Sequence, residues 1–391
     1  MTERTDQQDK DDAARYRATL EVALGIPFTS GNAVRVLRNG VEIFPAMLDA
    51  IRGARESIEF LTFVYWTGEV AKRFATALAE RAAAGVSVRI ILDAIGAAPM
   101  DRGLVRLMEN AGVRIVWFRK PFRWKLWQID HRTHRKVLVV DGRIGFTGGV
   151  GIAEEWEGDA RNACEWRDTH FEVRGPAVQG LRGAFIDNWV ESDQPLGPVE
   201  VAVPEEQGTA LVQVMKGSAA VNWSAIATLF HALLTMAQRS LRIATAYFVP
   251  DEGMVRLLVQ AARRGVDVQI LVPGPHMDER LAELAQEHTY IPMLEAGVRL
   301  FAFQPCMMHA KILTVDGTVA AVGSANFNQR SMSKDDELAM LVIDPGVLAT
   351  LERQFAQDLE RAVALDPDQL RHRGPFRKLE SRFVSLFRNE M

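Results

Sequence analysis

Cysteine is nearly absent from these 391 residues: Cys164 and Cys306 are the only two. That is too few for a disulfide framework, and the expected setting is a reducing compartment. A surplus of positive charge is missing too. Lys and Arg total 46 against 50 Asp and Glu, a net charge of −4, whereas a protein that grips a long stretch of nucleic acid usually carries a basic excess. No uninterrupted apolar run approaches the roughly 18 residues of a membrane-spanning helix. The segment 1–17 is polar and charged with no apolar centre, so no cleaved secretion signal is expected. What remains is ordinary globular composition, 48% hydrophobic and 25% charged, in a chain long enough for two to three domains of about 150 residues.

The second half of the chain echoes the first. Ser57-Ile58-Glu59-Phe60-Leu61-Thr62-Phe63 has a counterpart in Ser240-Leu241-Arg242-Ile243-Ala244-Thr245-Ala246, each following Ala-x-x-Ser. Gly85-Val86-Ser87-Val88 is answered by Gly265-Val266-Asp267-Val268, and Ala111-Gly112-Val113-Arg114 by Ala296-Gly297-Val298-Arg299. Ordered matches of this kind mark an internal duplication. Within each half, short β-branched strands alternate with stretches of helical period such as Val70 to Ala84. The expected fold is therefore α/β, with two similar lobes, each a mostly parallel sheet covered by helices.

Each half then delivers the same constellation. His134-Arg135-Lys136 is followed, after four intervening residues, by Asp141-Gly142, and His309-Ala310-Lys311, after four, by Asp316-Gly317, with Gly323-Ser324-Ala325-Asn326 beyond. His and Lys two apart on a strand share a face, and Asp-Gly between apolar runs predicts a hairpin. Folded about a pseudo-twofold axis, the two motifs would place two imidazoles and two ammonium groups in one cleft. Two fixed cations neutralise a phosphodiester. One imidazole can attack phosphorus while the other protonates the leaving alkoxide. No metal or cofactor is expected, because lysines among the ligands would repel a cation.

The paired His-x-Lys-x4-Asp motif resembles the phospholipase D superfamily. The segments Gly31 to Leu48, Trp166-Arg167-Asp168-Thr169-His170 and Gly175-Pro176-Ala177-Val178 are similar to its bacterial cardiolipin synthase branch. The resemblance implies a catalytic set of His134, Lys136, Asp141, His309, Lys311 and Asp316, working through a phosphohistidine. It makes His134 the nucleophile and His309 the general acid, although the near-symmetry of the halves permits the exchange. Lys136 and Lys311 would clamp the phosphate oxygens, aided by Ser324 and Asn326, while the hairpin position of Asp141 and Asp316 points to an architectural role. Asp168 is expected to orient His134, and Glu337 to orient His309. The first half departs from the pattern at Gly151, where an Asn would stand.

The substrate is addressed elsewhere. Basic and aromatic residues interleave from Arg119 to Asp130, including Trp124 and Trp127, a mixture that suits an anionic lipid interface, a single-stranded nucleic acid groove or a loop folded down with both tryptophans in the core. After Pro375, the spacing of Phe376, Leu379, Phe383, Leu386 and Phe387 among arginines predicts a basic amphipathic helix. The expected layout is a polar lead-in over 1–30, lobes over 31–205 and 206–372, and the amphipathic helix over 373–391. The expected activity is transfer of a phosphatidyl group between phosphatidylglycerols, on the cytoplasmic face of an anionic membrane, with no nucleic acid partner. A hydrolytic phospholipase D, a nuclease and a non-catalytic lipid-binding module are the alternatives.

Overall fold

The structure is a computed structural model and describes residues 6–120, 131–196, 205–218, 224–277 and 289–371. The residues expected to contact membrane, Trp124, Trp127, Phe376, Phe383 and Phe387, lie outside this set.

The first half contributes β1 (Thr29–Arg38), β2 (Ser57–Thr62), β3 (Ser87–Asp93), β4 (Arg114–Phe118), β5 (Val137–Val140), β6 (Ile144–Gly148) and β7 (Thr169–Arg174). The second contributes β8 (Ala210–Gly217), β9 (Ser240–Thr245), β10 (Phe248–Val249), β11 (Asp267–Pro273), β12 (Arg299–Phe303), β13 (Lys311–Val315), β14 (Val319–Gly323), β15 (Phe327–Asn328), β16 (Glu337–Ile343) and β17 (Ala362–Ala364). Strands β10 and β15 form a small pair of their own. The others join one 15-stranded sheet, ordered β17-β12-β11-β9-β13-β14-β16-β8-β1-β7-β6-β5-β2-β3-β4. The order 1-7-6-5-2-3-4 recurs as 8-16-14-13-9-11-12, with β1 and β8 antiparallel at the junction.

The expectation of a mostly parallel sheet in each lobe is corrected. The small β10–β15 pair is parallel, but within the large sheet only β2–β3, β3–β4, β9–β11 and β11–β12 pair in parallel. Helical crossovers serve those strands alone. The Asp-Gly turns instead fold β5 back on β6 and β13 back on β14, and every later pairing toward the junction is antiparallel. Asp141 and Gly142 carry φ of 52° and 62°, Asp316 and Gly317 56° and 63°. The turns close through Arg143 N–H to Val140 O and Thr318 N–H to Val315 O, both 2.9 Å. Two consecutive positive φ values define a type I′ turn, whose twist matches that of the flanking strands.

The polar lead-in is built into the fold. Residues Asp6–Leu24 form a helix, and its Tyr16 and Leu20 are wholly buried among Leu229, Leu233 and Leu241 of the second half. The segment is strongly charged, but Tyr16, Leu20 and Leu24 recur at helical spacing and supply a narrow apolar stripe. A further core lies at the junction. There Val137, Val139 and Phe185 of the first half pack in one cluster with Val212, Val322, Met340 and Leu351 of the second. Burying apolar surface common to both halves makes them a single packing unit.

Candidate active site

The site forms where the ends of β5 and β13 face each other across the junction. His134 and Lys136 stand just before β5, and His309 and Lys311 at the start of β13. The segments interlock: His134 N–H donates to Asp336 O at 2.9 Å, and His309 N–H donates to Arg167 O at 2.7 Å. Each histidine is thus seated by the residue run that opens β16 or β7 of the opposite half.

That interlock corrects the carboxylate assignment. Asp168 serves His309, with Nδ1 2.7 Å from Oδ2. Glu337 serves His134, with Nδ1 3.0 Å from Oε1. Both partners are exchanged between the halves, because Asp168 and Glu337 directly follow the backbone that crosses the junction. A carboxylate on Nδ1 fixes the tautomer with its proton there, so Nε2 of each imidazole carries the lone pair; that of His309 has Lys311 Nζ 3.2 Å away.

The supports differ in the two halves. The Asp168 carboxylate accepts Trp156 Nε1–H at 2.9 Å and Thr169 N–H at 2.7 Å. A Cβ at Gly149 would overlap it. The equivalent of Gly149 is Ser324, and its hydroxyl donates to Glu337 while accepting Leu338 N–H at 3.0 Å. Ser324, expected at the phosphate, is engaged in holding Glu337. Gly151 lies under Val64 and Trp156, which occupy the space an asparagine would need. Asn326 is 4% exposed, and its Oδ1 has no partner among the described residues.

Asp141 and Asp316 lie beyond the other end of the strands, roughly 15 Å along the chain from the lysines. Asp141 accepts the N–H groups of Arg55, Glu56 and Ser57. Asp316 accepts those of Gln238, Arg239 and Ser240 and the Tyr16 hydroxyl at 2.7 Å. They tie the hairpins to the preceding strands and do not join the histidines.

The sequence reading missed the aromatic walls and the buried arginines. Phe63 stands edge-on to His134 at 5.4 Å, with Lys136 Nζ 5.6 Å from its ring. Trp156 and Trp166 enclose His309 at 5.0 and 5.4 Å. Arg135, fully buried, reaches Glu337 O at 3.2 Å, Ala184 O at 3.1 Å, Asn188 Oδ1 and Gly217 O at 3.0 Å, and Asp187 Oδ2 at 3.0 Å. Arg132 forks onto Asp93 at 2.9–3.1 Å. These three aromatic residues and two arginines carried no spacing signal; only their contacts in the folded chain reveal their place.

Burial and mutual charge set the protonation of the site. Burial lowers the His134 imidazole, and Lys136 and Lys311 lower it further against the pull of Glu337. Burial and then Lys311 push His309 down to about 3. Burial, followed by repulsion from Lys311, brings the Lys136 ammonium down to about 7. Burial would raise the Glu337 carboxyl, but His134 and Lys136 hold it at about 2. Asp168 is likewise lowered, its burial outweighed by His309 and Lys311. Lys136 and Lys311 each donate to the carbonyl of the histidine two residues earlier, at 2.7 Å. The site holds two neutral imidazoles, two ionised carboxylates and two lysines, of which Lys136 titrates near neutral pH, a coupled cluster of the kind that marks a functional site.

A two-histidine, two-lysine site on a duplicated strand order defines a phospholipase D-like protein. The family described as "Cardiolipin synthase, PLD-like domain" matches residues 47–160 and 230–359. Cardiolipin synthase of Geobacillus kaustophilus (strain HTA426) is 32% identical over 375 residues, 93% of this chain and 74% of its own length. Cardiolipin synthase A of Pseudomonas aeruginosa (strain LESB58) is 33% identical over 361 residues, 92% of this chain and 74% of its own. The chain therefore spans about three quarters of these relatives. The crystal structure of phosphatidylserine synthase from Haemophilus influenzae Rd KW20 superposes with a TM-score of 0.72 over 97% of this chain and 100% of that one, at 15% identity, a likeness of fold. The chain belongs to the cardiolipin synthase, PLD-like family, and with it to the phosphatidyl transferases.

Proposed function

We propose that this chain makes cardiolipin, moving a phosphatidyl group from one phosphatidylglycerol to another through a phosphohistidine. The observation that carries the reading is the exchange of carboxylates: Asp168 on His309 and Glu337 on His134 bind the two motifs into one site. Halves 31–205 and 206–372 would be related by a pseudo-twofold axis through that site.

In the first step His134 Nε2 gives its electron pair to phosphorus. The bond from phosphorus to the glycerol oxygen breaks, and that oxygen takes a proton from His309 Nε2. In the second step the hydroxyl of the acceptor lipid passes its proton to His309 Nε2 while its oxygen bonds to phosphorus and the P–N bond breaks. Lys136 and Lys311 hold the non-bridging oxygens throughout. The bound phosphate raises both histidines and Lys136 by its own charge, so the general acid can be protonated in the loaded site although it is neutral in the empty one. Trp156, Trp166 and Phe63 shield the imidazoles from solvent, which favours an alcohol acceptor over water.

No helix among the described residues is long and apolar enough to cross a membrane. Peripheral attachment to the cytoplasmic leaflet, with the C-terminal amphipathic segment as an anchor, completes the proposal. Incubation with vesicles of phosphatidylglycerol, followed by thin-layer separation, should yield cardiolipin and free glycerol, and His134→Ala and His309→Ala should each abolish it. Phosphatidic acid as the main product would overturn transfer in favour of hydrolysis.

A further inference from the structure

A groove that the chemistry above leaves unused opens at the carboxyl ends of β3 and β4. It encloses about 620 Å3 between the loop 94–100, the helix Arg102–Asn110 and Trp117. Its floor is apolar, from Met100, Val105 and Trp117, and its rim carries Arg102, Arg106 and Lys120. None of these three cations has a partner among the described residues. Arg102 and Arg106 lie one turn apart on the helix, so they share a face. Beside them Leu107 is 43% exposed and Ile95 38%. The helix buries only Met108. Of its nearby carboxylates, Asp101 is occupied in capping Gly103 N–H at 2.6 Å, and Glu109 lies near its far end.

Groove and cleft share a wall. The Phe63 ring packs on Gly96 in the groove's loop and stands 5.4 Å from His134. Asp93, where that loop begins, holds Arg132, two residues before His134.

We propose that this face docks the chain on an anionic phospholipid bilayer, with Leu107 and Ile95 entering the interface and Arg102, Arg106 and Lys120 meeting lipid phosphates. The proposal rests on the phosphatidyl-transferring reading and places that cleft against the membrane. A molecule of net charge −4 gains no general attraction to such a surface. Charges farther than about 10 Å are screened at 0.1 M salt, so a local cluster of unpaired cations decides the approach. Exposed aliphatic side chains between cations match the boundary of headgroup and acyl chain. A single-stranded nucleic acid would instead call for exposed rings on which bases stack.

The test is co-sedimentation with vesicles of phosphatidylcholine alone and of phosphatidylcholine mixed with phosphatidylglycerol. Each cation near the surface contributes roughly fivefold, so Arg102→Gln, Arg106→Gln and Lys120→Gln combined should weaken binding to the anionic vesicles on the order of 100-fold. Ile95→Ser with Leu107→Ser should shorten retention when salt is added. Both variants should raise KM on vesicles and leave turnover of short-chain, monomeric phosphatidylglycerol unchanged. Wild-type binding by the triple variant would overturn the docking surface, as would a loss of affinity confined to single-stranded DNA. Groove-dependent vesicle binding by a chain inactive on the short-chain lipid would refute the transferase reading instead and keep the docking face.

Discussion

At the scale of single residues, the two halves solve the same problem with different side chains. The shorter Asp168 reaches His309 with Trp156 as its donor and no side chain at Gly149 to obstruct it. The longer Glu337 reaches His134 with Ser324 in the position equivalent to Gly149. Gly149→Ser should therefore displace Asp168, whereas Ser324→Gly leaves Glu337 one donor short. The exchanged pairing also assigns each carboxylate to a step. Glu337→Gln removes the group that fixes the His134 tautomer, so labelled phosphoenzyme should form about 100-fold to 10,000-fold more slowly. Asp168→Asn acts on His309 and should slow the proton transfers while leaving the His134 tautomer fixed. Rapid quench with labelled phosphatidylglycerol, followed by a leaving group that needs no proton, separates the two. Such a substrate should restore phosphoenzyme formation in Asp168→Asn and not in Glu337→Gln. The opposite pattern of rescue would return the carboxylates to their own halves.

At the scale of elements, the hairpins are the parts most legible in the sequence. Asp-Gly between β-branched runs specifies a type I′ turn through local backbone energetics alone, and both turns stand where the motif predicts them. Asp316 extends the turn into tertiary structure, for it binds three backbone N–H groups before β9 and the Tyr16 hydroxyl of the N-terminal helix. Asp316→Ala strands these donors, and a loss of about 2–4 kcal/mol in urea unfolding is expected, with Tyr16 fluorescence or proteolysis near residue 24 reporting early release of that helix. What the sequence obscured was set across the junction. Strand direction depended on which edges the hairpins met, and alternating helices argued for parallel pairing that holds for only four strand pairs of the large sheet. The carboxylate exchange was hidden for the same reason: Asp168 and Glu337 sit at equivalent places in the two halves, so spacing alone cannot tell the near histidine from the far one. The helix Asp6–Leu24 was masked by its charge, since three apolar residues sufficed to dock it.

At the scale of the whole molecule, the sheet joins the halves through few but buried polar ties. Asp358 takes Arg38 Nη2 at 2.7 Å and Arg167 Nε at 2.8 Å, linking the helix Pro345–Leu359 to β1 and to the segment that bonds His309. Asp358→Ala would leave the buried Arg167 guanidinium without its carboxylate and the half-buried Arg38 with one partner fewer, an expected cost of about 3–5 kcal/mol. The titrating groups give this molecule a particular acid sensitivity. His170, buried beside Gly148 with its Nδ1 unpartnered, is held near 4 by burial, against the attraction of Asp168; His309 is held near 3. The unfolded chain protonates both near 6.5. Their contribution is therefore intact above that pH and is lost as pH falls toward 4 and 3, because the unfolded state alone takes up the protons. Asp335, which burial raises to about 7, acts in the opposite sense over about pH 7 to 4, taking its proton first in the folded state. His134 is lowered in the same sense, so the histidines together outweigh Asp335, and stability falls between about pH 6 and 4.5, before ordinary carboxylates titrate. His170→Gln removes one of these protons, and the slope should be reduced by about 1.4 kcal/mol per pH unit while keeping its sign. Urea unfolding of both proteins at intervals across that range measures the difference. Parallel profiles would mean that His170 takes up no extra proton on unfolding and that the acid sensitivity resides in the paired histidines alone.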